Sequence, residues 1–363
     1  MFLIIPDRLD WITGRWAREL SLLLPPRTSW TLPSWYLSAH SRWLATPLRK
    51  VQCVVCIDPW YAKAVEDLRS RYCPQAGLSS VLHHVNYDDP NAETIARSDL
   101  PVGACETAVQ ALISLGARPE NTVLVENGVD HSDFNSRPRV AARASLDIGD
   151  REFVIGLSLK MSSDTGGRKG LDIARRIFDE FCEYPGIEFL VSGGGGSKFS
   201  DECQDKKWRC RHVGFLDAST LPSFYSAIDL FLCTSRLEAG PATVLEALSC
   251  GCPVIASRTG IVHKVVTRSE CGVVVDVGDV EHFVSAIQEA HRNWLVSGGE
   301  PNERGPLIGQ EWSWRAKMSV FSRRLIELRA KAGGAGALSS TWSPVMQFAV
   351  RHAKHLENRS PAS

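Results

Sequence analysis

The sequence predicts an α/β protein of two units, each a parallel sheet with helices on both faces. Three observations carry this expectation. Short continuous apolar runs alternate with amphipathic stretches along most of the chain, as strands buried on both faces alternate with the helices that cover them. The alternation occurs twice, on either side of the polar stretch "NGVDHSDFNSRPRVAARASLDIGDRE", which reads as an interdomain linker. At 363 residues the chain is long for one core and comfortable for two.

In the first unit the strand-like runs are "MFLIIP", "TSWTL", "VQCVVCID", "SSVLHHV", "LPVGAC" and "NTVLVEN". The helix-like runs between them include "WITGRWARELSLLL", "YAKAVEDLRSRY" and "CETAVQALISLG". From residue 151 the strand-like runs are "FVIGLSL", "IEFLVSG", "CRHVGFL", "DLFLCTS", "CPVIAS" and "GVVVDV", separated by "KGLDIARRIFDEF", "STLPSFYSAI", "PATVLEALSC" and "VEHFVSAIQEAHRNW". In the first of these helices Ala174, Ile177, Phe178 and Phe181 fall on one face. Past residue 311, Met318, Phe321, Leu325 and Leu328 form one stripe of a long helix that ends at Gly-Gly. The tail is small and polar, with one helix-like run, "PVMQFAVRHAKHL". The expected division is therefore 1–135, 136–315, a helix over 316–333 returning toward the first unit, and a tail over 334–363. Two such units face each other across a cleft between the carboxyl ends of their strands, where open α/β sheets take ligands.

Charge and cysteine usage narrow the function. The 41 basic and 41 acidic residues balance to a net charge of +0, which argues against a nucleic-acid binder, whose surface needs a basic surplus. "MFLIIPDRLD" is too short an apolar run for a signal peptide, and no stretch approaches the roughly 20 apolar residues of a membrane span. A cytoplasmic protein is expected. The eleven cysteines sit mostly singly in apolar runs, as buried thiols in a reduced compartment do. Cys53 and Cys56 form a C-x-x-C, but on a strand rather than at the turn into a helix that a redox pair needs. No second Cys or His pair completes a zinc set, so no metal site is expected.

One segment asks for a ligand. In "SRLEAGPATVLEALSCGCPVIAS", Pro241 suits the first helical position, Gly251 the residue past the last, and Pro253 prevents continuation. The free N–H groups and positive dipole end of that helix point into the loop of Ala239 and Gly240, an anion site. Gly240 lets a phosphate approach the backbone closely. Glu238 precedes the helix and Glu246 lies inside it, roughly 8 Å further along the axis. Phosphates at the helix start with one carboxylate per polyol on either side would suit a nucleotide sugar. Acids near a helix start are also ordinary surface charges, and spacing alone leaves that reading open.

The same segment resembles the E-x7-E signature of family four of the retaining nucleotide-sugar glycosyltransferases, whose fold is the GT-B architecture of two Rossmann-like domains. "NGVDHSDF", "RKGLD", "FLVSGGGG", "VGFL" and "LPSFYSAIDLFLCTS" agree with the family and fall in its order. The resemblance covers residues 120 to 330 strongly and the first unit weakly. It implies transfer of a hexose-type sugar, with retention, from a nucleoside diphosphate to a hydroxyl of a glycan or lipid-linked acceptor, without cofactor or required metal. Glu238 would contact the donor sugar and Glu246 the ribose. Lys169 would neutralise the departing diphosphate, where fixed positive charge is most useful. Gly193, Gly194, Phe215, Leu216 and Pro241 would join the donor-binding loops.

In several places the chain departs from the family pattern. Relatives carry a basic residue six positions before the lysine of "RKG", and here that position is Ser163. Lys160 fills the role through a longer loop, or Arg168 does, or the second charge is absent. Gly14 in "DWITGRW" matches the family's diphosphate-facing glycine loosely and is equally a strand-to-helix turn. His83 and His84 end a strand, with alternation allowing at most one to face the site. His84 is the candidate for the sugar or acceptor side, and a core histidine is the alternative.

Residues 11 to 50 interleave Trp11, Trp16, Trp30, Trp35 and Trp43 with Arg15, Arg18, Arg27, Arg42, Arg49 and Lys50. The pattern suits peripheral contact with a membrane surface or a lipid-diphosphate acceptor, stacking on an acceptor glycan, or a plain core with solvated arginines. Two rivals to transfer keep the fold: a sugar-nucleotide epimerase and a non-catalytic assembly partner.

Overall fold

The computed structural model describes residues 1–9, 11–83, 91–149, 152–159, 167–194, 196–297, 305–332 and 344–357. The apolar runs of the first half become strands β1 (Phe2–Ile5), β2 (Ser29–Thr31), β3 (Cys53–Cys56), β4 (Gly77–Leu82), β5 (Leu100–Gly103) and β6 (Val123–Leu124). They form one sheet in the order β2-β1-β3-β4-β5-β6, parallel throughout. The second set gives β7 (Phe153–Ser158), β8 (Ile187–Ser192), β9 (Cys210–His212), β10 (Leu230–Cys233), β11 (Val254–Ser257) and β12 (Gly272–Val275). These form a second six-stranded sheet, β12-β11-β10-β7-β8-β9, again parallel at every pairing. Every strand-like run of the sequence is thus a strand, because a continuous apolar run is what a strand covered on both faces requires.

The chain divides into Met1–Glu126 with Arg315–Ser363, and Asn127–Trp314. The expected boundaries at 135/136 and 315/316 therefore fall at 126/127 and 314/315. The stretch read as a linker is bound into the second unit instead. Asn127 Nδ2 donates to Gly240 O at 2.5 Å, His131 Nδ1 and Ser249 Oγ lie 3.1 Å apart, and Ser249 Oγ donates to Phe134 O at 2.5 Å. Phe134 is 1% exposed. A polar sequence that supplies hydrogen bonds to buried backbone looks like a linker only until its partners are known.

In the first unit the helix Trp314–Ala332 lays its stripe on the sheet. Leu328 occupies the space a Cβ on Gly77 would need, the Arg329 guanidinium lies 4.8 Å over the Phe2 ring, and Lys317 pairs with Glu126 at 3.1 Å. The tail carries the helix Pro344–Glu357, where Tyr36 OH and His352 Nδ1 lie 3.2 Å apart. Cys53 and Cys56 are fully buried on β3, and burial pushes the Cys53 thiol up to about 12 and the Cys56 thiol higher. Both are inert core thiols.

The second sheet is anchored at its amino edge by Asp229, which starts the run into β10 and whose side chain is 1% exposed. Its carboxylate accepts from Arg139, from Arg143 Nη1 at 3.2 Å, from Trp294 Nε1 at 2.8 Å and from the Val154 N–H at 2.8 Å. Arg143, itself buried, also donates to Gly149 O and Glu152 O, each at 2.6 Å. Removing one partner of a buried ion pair leaves the other charged and dry. Asp229→Ala is therefore expected to destabilise the second unit by about 3–5 kcal/mol, measured as a lowered urea midpoint.

Candidate functional site

In the second sheet the chain runs outward from β7 through β8 to β9, then returns to start again at β10 beside β7. The neighbours β7 and β10 thus form a topological switch point, where adjacent loops diverge and leave a crevice at the carboxyl edge. The loop after β7 carries Arg168 and Lys169, and the loop after β10 carries Glu238. They meet there. Lys169 Nζ donates to Glu238 Oε1 at 2.5 Å, Arg168 Nη1 lies 3.3 Å from Glu238 Oε2, and Ser235 Oγ donates to Glu238 Oε1 at 3.0 Å. The backbones are fastened as well: Thr234 Oγ1 donates to Gly170 O at 3.0 Å and Arg236 N to Arg168 O at 2.8 Å. Gly170 has φ +69°, and a Cβ there would stand 2.0 Å from Thr234 O. Only glycine allows the two loops so close.

Burial alone would raise the Glu238 carboxyl, but the charges of Lys169 and then Arg168, with hydrogen bonds from Lys169 and Ser235, outweigh it and hold the group below its ordinary value. Two cations against one carboxylate leave this three-residue cluster a net charge of about +1. That surplus suits an arriving diphosphate.

Pro241 is the N-cap (φ −64°, ψ 109°) of the helix Ala242–Ser249 rather than its first residue. The shift is small because a proline suits either place, lacking the N–H that a helix start leaves unused. The preceding turn is fixed on both sides: Ala239 O accepts from Ile261 N at 2.9 Å, and Gly240 O from Asn127 Nδ2. A Cβ on Gly240 would lie 3.0 Å from Ile261 Cδ1 and 3.2 Å from Asn127 Cβ, so packing within the unit also favours glycine. Glu246 is 5% exposed and accepts a hydrogen bond from Tyr225 OH at 3.0 Å. The two glutamates of the motif therefore stand in different surroundings, one among cations and one against a phenol.

Two further loops leave the same edge. After β8, Gly193 has φ +137° and would place a Cβ 1.7 Å from Leu159 O, whereas Gly194 has nothing within 4 Å. Gly193 is thus required by the fold and Gly194 is open to a ligand. After β9, Phe215 is 72% exposed and Leu216 half-buried.

In the first unit, Gly14 lies inside the helix Ile12–Leu23, not in a loop. A Cβ there would meet Leu9 O at 2.2 Å, so the close approach of the β1 loop accounts for it. His83 Nε2 lies 2.9 Å from Ile57 O, with its ring edge-on to Trp16 at 5.1 Å, so this half-buried histidine is satisfied within the first unit. His84, Lys160 and Ser163 lie outside the described residues. The five tryptophans divide: Trp16 and Trp30 are core, Trp35 is half-buried, and Trp11 and Trp43 are 48% and 83% exposed. Ser235, Thr234, Asn127 and Tyr225 were not singled out from the sequence. Thr234 and Ser235, four and three residues before Glu238, offer a local signal, whereas Asn127 and Tyr225 reach the site only through the fold.

A carboxyl held low in the folded state adds stability that is present above its ordinary value of 4.5 and is lost as pH falls through its depressed folded value. In Lys169→Met, burial loses its main opponent. The Glu238 carboxyl is expected to titrate at higher pH than in the wild type, and the acid limb of the thermal midpoint to move up in pH. Carboxyl-detected NMR titration and a pH series of melting curves check both.

Residues 160–304 match the family model described as glycosyl transferases group 1. The D-inositol 3-phosphate glycosyltransferase of Acidothermus cellulolyticus is 29% identical over 211 residues, covering 54% of this chain and 46% of that protein. The protein of the same name from Mycobacteroides abscessus is 24% identical over 310 residues, covering 82% and 66%. The chain spans about half the length of most of the curated relatives it matches. Among solved structures, HepE of Anabaena, in complex with UDP and glucose, superposes with a TM-score of 0.71 at 16% identity, covering 90% of this chain and 99% of that one. Sucrose-phosphate synthase of Thermosynechococcus elongatus does so with a TM-score of 0.71 at 17% identity, with the same coverage. The fold is that of the GT-B glycosyltransferases. Within its second unit the chain is thus similar to the group 1 glycosyl transferases, and the matched stretch includes the glutamate segment.

Proposed function

We propose that this protein is a retaining glycosyltransferase that moves a sugar from a nucleoside diphosphate to a hydroxyl of a lipid-linked or glycan acceptor. The observation that carries the reading is the Arg168–Lys169–Glu238 cluster at the switch point, with its surplus of positive charge. In the reaction the bond between the anomeric carbon and the diphosphate oxygen breaks. The acceptor oxygen bonds to the same face of that carbon, and its proton passes to the leaving phosphate oxygen. Lys169 and Arg168 stabilise the charge that develops on that oxygen, a preorganised electrostatic role. They supply what a divalent metal would otherwise supply, so the step has no metal requirement. Glu238 binds the hydroxyls of the donor sugar, Glu246 those of the ribose, and Gly194, Phe215 and Leu216 border the base. The Ala239–Gly240–Pro241 turn brings the helix start to the diphosphate.

For the acceptor, the relatives' names speak of inositol phosphate and phosphatidylinositol, and a lipid-linked acceptor is the class favoured here. Exposed Trp11 and Trp43, with exposed Arg18, Arg42, Arg49 and Lys50, supply the aromatic and basic groups that a membrane surface attracts. The protein works in the cytoplasm at such a surface. Among the described residues no helix is long and apolar enough to cross a membrane.

Two experiments test these readings. A thermal-shift screen with UDP, GDP, ADP, dTDP and CDP is expected to show stabilisation by one of them, equal with and without Mg²⁺. Glu246→Ala should weaken that binding about ten-fold, whereas Glu238→Ala should lower turnover about a hundred-fold; normal activity in both would remove the site. Sedimentation with phosphatidylglycerol vesicles should capture the protein at low salt and release it at high salt. Trp43→Ala should weaken the capture, and equal partitioning onto neutral vesicles would count against the basic surface.

A further inference from the structure

The tail helix Pro344–Glu357 belongs to the first unit, where it packs on the helix Ser34–Leu48 and on β2. Its inward side is small: Ala349 and Ala353, four residues apart, are 2% and 0% exposed. Phe348, Arg351 and His355, at i, i+3 and i+7, turn outward. Phe348 is 64% exposed. A helix that served the core alone would turn its only phenylalanine inward and leave the alanines in water.

One line of rings joins the two helices. Phe348 stacks on His352 at 5.4 Å between centroids, His352 meets Tyr36 edge-on at 5.8 Å, and Tyr36 stacks on His40 at 4.3 Å. Tyr36, His40 and Trp43 stand at i, i+4 and i+7 of the helix Ser34–Leu48, so Trp43, 83% exposed, continues that line into solvent. The two exposed aromatic groups are thus the ends of one connected surface.

The charge on this surface has one sign. From Ser34 to Lys50 no acidic residue accompanies Arg42, Arg49 and Lys50, and the tail helix holds Arg351 and Lys354 against Glu357 alone. Arg42, Arg49, Lys50 and Arg351 are exposed, and among the described residues none of them pairs with a carboxylate. In a chain whose 41 basic and 41 acidic residues balance, such a surface polarises the molecule. Its complement is anionic outside and apolar just beneath, as the headgroup boundary of an acidic bilayer is.

We propose that the paired helices Ser34–Leu48 and Pro344–Glu357 form one docking face for an anionic bilayer, with Phe348 and Trp43 entering the headgroup boundary and the four cations on the lipid phosphates. The inference rests on the reading of a lipid-linked acceptor at a membrane surface, and it makes the tail helix half of the contact.

The test uses the full chain in sedimentation with phosphatidylglycerol and with phosphatidylcholine vesicles, for wild type, Phe348→Ala, Arg351→Glu, Trp43→Ala and Arg292→Glu, with melting curves alongside. Arg292, exposed in the helix Val280–Ser297 of the second unit, supplies the same charge reversal elsewhere. Wild type is expected to prefer phosphatidylglycerol. Phe348→Ala should lower its partition coefficient about ten-fold and Arg351→Glu about thirty-fold, each with the wild-type melting point, whereas Arg292→Glu is captured as wild type is. Wild-type capture of both tail variants, or equal weakening by Arg351→Glu and Arg292→Glu, would overturn the inference. Loss of capture with a lowered melting point in both tail variants would make them packing residues and overturn it as well. Failure of the underlying reading looks different: phosphatidylglycerol does not capture wild type at all, and the inference falls with it. If Trp43→Ala loses capture while both tail variants keep it, the membrane reading stands and the tail helix has no part in it.

Discussion

The crevice at the carboxyl edge of the second sheet depends on one carboxylate kept ionised where it is largely buried. Glu238 would be costly there without Lys169 and Arg168, and the two cations would repel one another without Glu238. Neither loop has an internal reason to approach the other so closely. The parallel order of β7 and β10 brings their carboxyl ends side by side, Gly170 removes the steric obstacle, and the ion pair closes the gap. The arrangement is held by attraction that a ligand can share, since a diphosphate can take up the charge that Glu238 does not use.

Around this pair the structure gives the two glutamates of one motif different surroundings. Glu238 is held by two cations and a hydroxyl, and Glu246 accepts from a buried phenol. The eight-residue spacing is what places one glutamate before a helix start and the other more than a turn inside it. The turn of Ala239 and Gly240 between them is clamped by Ile261 and Asn127, so the spacing is a rigid distance rather than a contour length.

Much of the fold was legible because parallel strands announce themselves as unbroken apolar runs. Helices were read where an apolar stripe was present, as in Leu171–Phe181. The helix Ser34–Leu48, with Pro47 inside it, shows only a weak stripe, and Ser197–Asp205 is so short that its apolar face is little more than Phe199 and Cys203. The segment after Asn127 looked like a linker because its hydrogen-bond partners lie more than a hundred residues away. Of the site, the charged residues were legible through the family's motif. Their surroundings were not, since Tyr225 and Glu246 or Asn127 and Gly240 become neighbours only when the sheet assembles. His83 and Gly14 show the converse: polar or small residues at strand ends that packing alone explains.

The strand β10 joins two unlike places. At its amino end Asp229 gathers two arginines, an indole and a backbone amide. Past its carboxyl end the chain delivers Ser235 and Glu238 to the crevice. A lesion at the first place would show in a cell as scarce protein with normal specific activity, because unfolded chains are cleared. On the proposed reading, a lesion at the second would show as abundant protein without transfer activity. Inherited variation along this short stretch would therefore change in kind, from a dosage defect to a chemical one, within the roughly 30 Å of extended chain that can separate Asp229 from Glu238.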